Sequence, residues 1–449
     1  MALEAAAHPL SGRAPDEVIC YRGALGPVTV QQFLADAGAL AARLPASHGA
    51  SHHAIDLCAD RYLSLVAFAA AMLKGHPMLL GAGKGAAPQF LAMLAERYPG
   101  AYAITDGFVP ETHMLAVSAT ASAAPGAGSI LAPRIPLDRV VAIAFTSGST
   151  GAPTAHAKPW GALIAATAAA AERFGLRHED GPSTQIVATV PPQHMYGFET
   201  TMMLPLQAAV AIHSGETFFP SDVLEALTYV PARRLLITTP LHLRVLLATG
   251  QPAVPLAAVI SATAPLAMEM AEAVERDWNA PMLEIYGASE AGSLASRRTV
   301  QDASWLPYAG VRVLPNAALV PGLGEVPLGD LLEPLADGRF RLLGRRADLV
   351  KLGGKRASLG ELNRELTAVR GVLDGVFVAP EDIESNPAAR LTAYVVAPGC
   401  SAEEILGALR ARIDPAFLPR RVAIVAALPR DRLGKLPRQA LEELGAGEA

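Results

Sequence analysis

Short apolar runs, each followed at once by a polar loop, recur through most of this chain and constrain its fold more than any other feature. The run Val140–Phe145 is typical of a buried strand, and the loop Thr146–Gly151 follows it directly. An alanine-rich helical pattern covers roughly Trp160 to Arg173. We therefore predict that this loop joins a strand to a helix. Such alternation predicts an α/β fold whose parallel strands are connected by crossover helices.

The same alternation of strand and loop repeats on both sides of this segment. An apolar helix is predicted from Tyr62 to Lys74, followed by a strand at Met78–Leu80 and, later, by a loose connection over Ala116–Pro133. Further strands are predicted at Gln185–Val190, Leu235–Thr239, Val259–Ile260 and Leu283–Tyr286. Ligands of open α/β sheets bind beyond the carboxyl ends of the strands. The polar loops after these strands therefore predict one shared binding site.

Composition limits the class of protein. The chain has 449 residues, 51% of them hydrophobic and 18% charged, with a net charge of −5. This length predicts more than one domain, and the charge gives no reason to expect a nucleic-acid partner. The three cysteines are isolated, which predicts neither a zinc site nor a disulfide framework and suits a cytoplasmic location. We expect no signal peptide, and the longest apolar run, Leu63–Leu73, is too short to span a membrane.

The pattern changes from about Arg345 onward. A basic segment precedes a helix from Leu359, strands at Val376–Val378, Leu391–Val396 and Val422–Val425, and a helix over Ala402–Ile413. We predict a large N-terminal domain over residues 1–344 with mixed or parallel sheets. A small α+β domain is predicted over residues 345–449.

The loop Thr146–Gly151 has the composition of an anion site. Its small residues allow successive backbone N–H groups to point toward one centre, and its hydroxyl groups add further donors. The loop lacks the Gly-Lys-Ser/Thr ending of a Walker A loop, and taken alone it fits a Ser/Gly turn on the surface as well as it fits an anion site. A triphosphate is the ligand that we expect.

Five motifs, in this order along the chain, resemble those of the adenylate-forming superfamily of acyl-CoA synthetases, aryl-acid ligases, luciferases and peptide-synthetase adenylation domains. They are Thr146–Pro153, Tyr286–Glu290, Asp330 with Gly344-Arg345, Lys351–Arg356 with Glu361, and Leu428-Pro429 with Gly434-Lys435 and Arg438. Five motifs in the expected order are far more specific than any one of them.

The resemblance implies roles for individual residues. ATP would be bound by Thr146, Ser147, Gly148, Ser149, Thr150, Gly151, Lys158, Tyr286, Gly287, Ala288, Ser289, Asp330 and Arg345. Within this set, Tyr286 would offer its ring to adenine, while Asp330 and Arg345 would fix the ribose. Glu290 and Thr150 would hold Mg²⁺, and Lys435 would stabilise the charge that develops as a carboxylate attacks the α-phosphate.

The resemblance also implies that the small domain is a mobile lid. It would close for adenylation and rotate for attack by a thiol, about a hinge that follows Gly344-Arg345. Lys351, Gly353 and Gly354 would then line the passage of a pantetheine arm.

Considered one at a time, four of these residues also fit a role without function. Asp330 and Arg345 fit a surface ion pair, Lys435 fits a solvated lysine, and Tyr286 fits a core residue.

Two positions depart from the family pattern. Thr154 stands where the phosphate loop usually has a lysine, and Lys158 follows four residues later. Lys158 either supplies the missing charge or is a surface lysine, and we favour the first. At the hinge, Ala347 stands where the family often has an aspartate, with Asp348 next, which leaves the pivot residue undecided.

The expected acid-binding residues are His194, Tyr196, Gly197, Phe198, Ser261, Ala262 and Thr263. His194 lies in a predicted loop, Pro192–Glu199, that resembles the histidine-containing loop of acyl- and aryl-activating members, so we also count it as a catalytic candidate. The aspartate of amino-acid-activating members is missing from this loop, and its apolar and aromatic residues favour a small aromatic or hydroxy acid such as a hydroxybenzoate. Tyr196 is the expected hydrogen-bond partner of a substrate hydroxyl.

As a whole, the chain resembles compact ligases of aryl-polyene and xanthomonadin-type pigment pathways. This resemblance implies CoA or a separate acyl carrier protein as the acceptor. An acyl-CoA synthetase for a fatty or 3-hydroxy acid is the alternative of the same class. The alternatives of another class are a non-catalytic nucleotide-binding module and an α/β-hydrolase, whose nucleophile elbow Gly287–Ala291 almost matches. The oligomeric state stays open.

Overall fold

The computed structural model describes residues 6–46, 52–83, 86–107, 115–120, 132–146, 153–181, 183–352, 355–380, 383, 386, 389–430 and 436. Its α-helices are Val30–Arg43, Arg61–Lys74, Pro88–Arg97, Trp160–Phe174, Met195–Phe198, Leu204–Gln207, Pro220–Tyr229, Pro240–Thr249, Met268–Asp277, Leu359–Thr367 and Ala402–Arg410. A π-helical turn, Glu199–Met203, joins two of them. Short 3-10 turns lie at Gly23–Leu25, His178–Asp180, Arg346–Asp348 and Pro415–Phe417.

The first sheet contains the strand that leads into the phosphate loop. In spatial order its described strands are Thr154–Pro159, Val140–Thr146, Met78–Leu79, Ala54–Asp56, Tyr102–Thr105 and Ala116–Ser118. The pair Thr154–Pro159 and Val140–Thr146 is antiparallel, and the other neighbours are parallel. The sheet is therefore mixed, with its antiparallel pair at the edge next to the phosphate loop.

The second sheet carries the strands whose ends were expected to form the site. Its order is Leu306–Pro307, Gly292–Arg298, Met282–Ala288, Leu256–Ser261, Arg234–Thr238, Thr184–Ala188, Val210–His213, Val18–Tyr21 and Pro27–Thr29. The pairs from Met282–Ala288 to Val18–Tyr21 are parallel, and the outer pairs are antiparallel. The predicted α/β class with mixed and parallel sheets is confirmed.

Smaller sheets complete the fold. They are Ala7–Pro9 with Arg134–Pro136; Arg312–Leu314, Ala317–Val320 and Gly324–Pro327; Asp330–Pro334 with Phe340–Arg345; Leu349–Leu352 with Lys355–Ser358; and Asp374–Val378, Thr392–Val396 and Arg421–Ile424. The segment after residue 349 has its own core, in which Leu366, Phe377, Leu391 and Leu409 are almost fully buried. The domain boundary at residue 344 stays a prediction.

The helix Arg61–Lys74 lies at the centre of the main core, as its apolar sequence predicts. The Asp60 side chain accepts a hydrogen bond from the Leu63 amide at 2.9 Å, and Gly75 ends the helix in the left-handed conformation. Phe68, on this helix, meets the ring of Phe198 edge-on at 4.9 Å. Because the helix is buried on nearly all sides, its sequence is apolar all round rather than amphipathic.

The phosphate loop was expected to join a strand to a helix, and this expectation was wrong. The strand after the loop, Thr154–Pro159, pairs antiparallel with Val140–Thr146, and the helix begins only at Trp160. The reason is that alanine has a weak intrinsic preference for strands, so the segment did not indicate one. Pairing with the neighbouring strand supplies the hydrogen bonds that make it a strand.

Three smaller expectations also fail. The predicted loop Pro192–Glu199 becomes helical from Met195, because His194 caps the turn and the apolar side chains after it are buried. The connection Ala116–Pro133 contains a strand, Ala116–Ser118, at the edge of the first sheet. The last helix ends at Arg410 instead of Ile413.

Candidate active site

Tyr286, Asp330 and Arg345 meet although they come from three different strands. The Tyr286 hydroxyl donates to Asp330 Oδ2 at 2.9 Å, and Arg345 Nε lies 3.8 Å from Asp330 Oδ1. Asp330 and Arg345 face each other across an antiparallel pair. Burial raises the pKa of Asp330, while the Tyr286 hydrogen bond and the Arg345 charge oppose that rise. The cluster thus combines a carboxylate with a guanidinium that is 70% exposed.

The Tyr286 side chain is buried in the core, which was the structural alternative to a role in adenine binding. It packs against Trp305 and Phe340 with centroid distances of 5.7 and 5.6 Å, and 6% of the residue is exposed. Burial raises the pKa of its hydroxyl, and nearby Asp330 adds to the rise. Little of the ring remains to contact a base, so stacking on adenine stays a prediction.

The motif Gly287–Glu290 forms a tight turn between antiparallel strands. Gly287 and Ala288 still belong to the strand Met282–Ala288, and the next strand begins at Gly292. A Cβ atom on Gly287 would lie 2.6 Å from the Gly292 carbonyl oxygen, so a side chain there would collide with the opposite strand. A hydrolase elbow places its serine between a strand and a helix. Ser289 lies in a hairpin turn, and the hydrolase alternative is therefore wrong.

Lys158 is buried, which contradicts the surface-lysine alternative. It is 1% exposed, and its ammonium donates to the Glu290 backbone carbonyl at 2.8 Å. Burial lowers the pKa of Lys158 to about 8, against the attraction of the Glu199 and Glu290 carboxylates. Lys158 therefore holds the turn that carries Glu290 against the strand that follows the phosphate loop.

Several expected site residues lie outside the described residues: Ser147, Gly148, Ser149, Thr150, Gly151, Gly353, Gly354 and Lys435. Thr146 is described, and its hydroxyl lies 3.0 Å from His156 Nε2. Lys351 is exposed, on the strand Leu349–Leu352. The roles of these residues stay predictions.

His194 caps the short helix that begins at Met195. Its Nδ1 accepts a hydrogen bond from the Tyr196 amide at 3.3 Å. Gly197 is required by packing, because a Cβ atom there would lie 1.9 Å from the Pro191 carbonyl oxygen. Phe198 is fully buried against Phe68, and its contact with the acid stays a prediction.

Tyr196 differs from expectation. Its hydroxyl donates to the Ile260 carbonyl at 3.0 Å and is buried, so its proton is not available to a substrate. Ser261 follows Ile260 and is fully buried, with no hydrogen-bond partner for its hydroxyl in the described part of the chain. Thr263 has a positive φ of 79°, a strained conformation of the kind that clusters at functional sites.

Glu284 was missed by the sequence analysis. It is 2% exposed, and its carboxylate accepts from the Leu266 amide at 3.1 Å, from Arg297 Nε at 2.7 Å and from the Thr299 hydroxyl at 2.7 Å. The contact with Leu266 anchors the far end of the loop that contains Ala262 and Thr263. Its partners come from separate segments, so local sequence carried no signal for it.

Glu199 was also missed, although it ends the loop whose other residues were singled out. Its carboxylate accepts from the Ser293 amide at 3.1 and 3.2 Å and from the Ser293 hydroxyl. Burial raises the pKa of Glu199, whereas Ser293 and the Lys158 charge lower it. An acidic residue inside the otherwise uncharged run from Met195 to Leu206 was the available signal.

Among the described residues, no group of three or more His, Cys, Asp or Glu side chains could hold a metal ion. No helix in this part of the chain is long and apolar enough to span a membrane.

The family model described as "AMP-binding enzyme" matches residues 10–320. The chain belongs to the AMP-binding enzyme family. Its curated relatives include 4-coumarate–CoA ligases from Rhodobacter capsulatus and Halorhodospira halophila. The first is 29% identical over 304 residues (66% of this chain and 74% of that protein), and the second is 28% identical over 314 residues (65% and 73%). This member of the family is an AMP-forming acid–thiol ligase.

Solved structures share the fold over the whole length of the ligase. The o-succinylbenzoate–CoA synthetase MenE from Bacillus subtilis, in complex with its acyl-adenylate, superposes with a TM-score of 0.81 at 17% identity, over 97% of this chain and 98% of that one. ATP-bound MatB from Rhodopseudomonas palustris gives 0.77 at 19% identity, over 96% of both chains. These likenesses establish the fold of the ligase and nothing about its substrate.

Proposed function

We propose that this ligase activates a small aromatic acid with a ring hydroxyl and transfers the acyl group to a pantetheine thiol. The contact that carries the nucleotide part is the Tyr286–Asp330 hydrogen bond of 2.9 Å, with Arg345 beside it. Together these contacts bring three residues from the sequence motifs next to one another. The acid is suggested by the names of the 4-coumarate–CoA ligase relatives and by a His194–Phe198 segment that lacks an aspartate for an ammonium group.

The proposed reaction has two steps, adenylation of the acid and transfer of the acyl group to the thiol. A carboxylate oxygen of the acid attacks the α-phosphorus of ATP, the bond to the β-phosphate breaks, and pyrophosphate leaves. The thiol sulfur then attacks the acyl carbon, the bond from that carbon to the AMP oxygen breaks, and the thiol proton goes to solvent. Both steps concentrate negative charge, so cationic groups and hydrogen-bond donors are what the site must supply.

Residues of this chain fit those needs. Asp330 would accept hydrogen bonds from ribose hydroxyls, with Arg345 beside it. The phosphate loop from Thr146 would bind the terminal phosphates, and Lys435 would act at the reacting carboxylate and α-phosphate. Glu290 would offer Mg²⁺ a hard oxygen ligand, since this ion is commonly held by one or two carboxylates together with substrate phosphates and water.

The acceptor is a pantetheine thiol of CoA or of a separate acyl carrier protein. Lys351 is an exposed residue on the strand Leu349–Leu352, at the start of the small domain, where an incoming thiol arm would pass. Incubation of the ligase and ATP with the acid and either CoA or a phosphopantetheinylated carrier, followed by mass spectrometry, decides between the acceptors. We expect a cytoplasmic location.

ATP–pyrophosphate exchange over a panel of acids tests the proposal. The panel contains 4-coumarate, 4-hydroxybenzoate, cinnamate, benzoate, a long-chain fatty acid, a 3-hydroxy acid and α-amino acids. We expect a hydroxylated aromatic acid to give the highest kcat/KM. A fatty acid in first place would refute the aromatic assignment, and background exchange throughout would refute adenylation of these acid classes.

A further inference from the structure

A small cavity lies next to the segment that carries Tyr196. Ile260, whose carbonyl accepts the Tyr196 hydroxyl, is in its wall, and so is Thr200, which donates to the Tyr196 carbonyl at 2.7 Å. Small side chains of the helix Trp160–Phe174, including Ala166 and Ala170, also line it. Its volume is about 20 Å³, which is room for one water molecule or one hydroxyl group. The cavity therefore has the size of a ring substituent rather than that of a ring.

Glu199 and Ser293 are among the polar residues that line this cavity. The carboxylate accepts from the Ser293 amide and hydroxyl, and its two oxygens offer about four acceptor positions. At least one position therefore stays available to a group in the cavity. Gly292 makes this arrangement possible, because a Cβ atom there would lie 2.6 Å from Glu199 Oε1. The carboxylate is thus held in place by its surroundings.

Tyr308 lines the same cavity and is 2% exposed. Its hydroxyl has no hydrogen-bond partner among the residues that the structure describes. A buried hydroxyl without a partner is uncommon in folded proteins. A ligand hydroxyl could accept from Tyr308 and donate to Glu199 at once, which a simple C–H group could not do.

The charges around the cavity favour a neutral donor over an ammonium group. The ammonium of Lys158 already attracts the Glu199 carboxylate. The hydroxyl of Tyr308 also interacts electrostatically with Glu199. A second cation would be repelled by Lys158, whereas a hydroxyl group brings a donor without a charge.

We propose that Glu199 determines substrate specificity by accepting a hydrogen bond from a ring hydroxyl of the acid. This inference rests on the proposed function and adds the group that the site recognises. It replaces Tyr196, whose proton is engaged by the main chain, as the residue that reads the hydroxyl.

The test compares 4-coumarate with cinnamate, which differ by the ring hydroxyl alone. Wild type is expected to favour 4-coumarate in kcat/KM by about 10- to 100-fold, the usual cost of leaving a buried polar group unpaired. Glu199→Leu should bring that ratio close to 1. Glu199→Gln keeps an acceptor oxygen and should retain part of the preference.

Thr167→Val is the matched control. Thr167 lines the same cavity, but its hydroxyl donates to the Leu163 carbonyl at 2.7 Å within its own helix. This variant should keep the wild-type ratio. If Thr167→Val changes the ratio as much as Glu199→Leu does, or if Glu199→Leu slows both acids equally, Glu199 does not read the hydroxyl.

Titration calorimetry of both acids in the presence of AMP makes the test independent of turnover. If no acid supports ATP–pyrophosphate exchange, the proposed function is overturned, but the binding measurement still tests the role of Glu199. Tighter binding of 4-coumarate to wild type, lost in Glu199→Leu, would support the role of Glu199. Equal binding of the two acids, or no binding of either, would overturn it.

Discussion

Lys158 shows how one buried charge connects two parts of the molecule. Its strand follows the phosphate loop in the first sheet, while the carbonyl that it contacts belongs to Glu290 in a hairpin of the second sheet. Burying an ammonium is costly unless it is paired and hydrogen-bonded. The carbonyl, together with two nearby carboxylates, provides that compensation.

Lys158→Ala is expected to raise KM for ATP more than KM for the acid. The change removes the donor to the Glu290 carbonyl, so the turn that carries the expected Mg²⁺ ligand loses its anchor. Steady-state kinetics with each substrate varied in turn measures the effect. Arg276→Ala, which removes an exposed cation paired with Asp277, is the control. Unchanged constants in the Lys158 variant would assign this lysine a purely structural role.

The stability difference between wild type and Lys158→Met should depend on pH. Because the folded-state pKa is about 8 and the unfolded value is about 10.4, the unfolded chain binds more protons between these two values. Wild-type stability should therefore gain from Lys158 as the pH rises from about 8 to 10. Urea unfolding at pH 7 and pH 9.5 checks this, and a difference that is independent of pH would contradict it.

At the scale of elements, the segment Met195–Gln207 shows how close packing positions a binding loop. It passes from an α-helix through a π-helical turn into another α-helix. A turn of π-helix inside an α-helix is often found at functional sites, and here it contains Glu199. The start of the segment lies against the Pro191 carbonyl, which leaves no room for a side chain at residue 197.

Gly197→Ala is expected to destabilise the ligase by about 1–3 kcal/mol, the usual cost of overpacking. The added methyl group would lie 1.9 Å from a main-chain oxygen, so the helix must shift. Gly407→Ala is the control: Gly407 is in the helix Ala402–Arg410 with nothing within 4 Å of an added Cβ, and it should gain about 0.5–1 kcal/mol. Thermal and urea unfolding compare the two, and equal effects would refute the packing explanation.

The sequence predicted elements whose patterns are local and missed those that depend on distant partners. The helix Arg61–Lys74 has its own cap, apolar run and terminating glycine, so it could be predicted almost to the residue. The strand Thr154–Pro159 owes its conformation to a neighbour, and Glu284 owes its role to three residues from two other segments. Tyr286 and Asp330 were found through motif spacing, but their mutual hydrogen bond required the structure.

At the scale of the whole molecule, the small domain contains expected site residues that the large domain lacks, among them Lys435. Its described core is separate from those of the preceding sheets, and it starts where the Asp330–Arg345 pair ends. We expect it to act as a lid with two working positions. Lys435, the catalytic lysine that the family resemblance implies, would reach the site in one of these two positions.

Lys435→Ala tests the two positions. Adenylation should fall by about 10²–10³, the typical cost of losing a contact to transition-state charge, while thioester formation from added acyl-adenylate should fall much less. Pyrophosphate exchange measures the first step, and single-turnover thiolation measures the second. Circular dichroism serves as the folding control. Equal losses of rate in adenylation and in thioester formation would contradict a lid that moves away from the site between the two steps.

The pairing of Asp330 with Arg345 also affects how the chain can be divided for experiments. A cut at the predicted boundary, between Gly344 and Arg345, would remove the guanidinium from the carboxylate it faces, together with the Arg346 amide that donates to the Gly329 carbonyl at 2.9 Å. A fragment ending at residue 344 would then keep the Tyr286–Asp330 contact but lose the cation beside it. A large-domain fragment meant for nucleotide titrations should therefore extend through Asp348, the end of the short turn that follows.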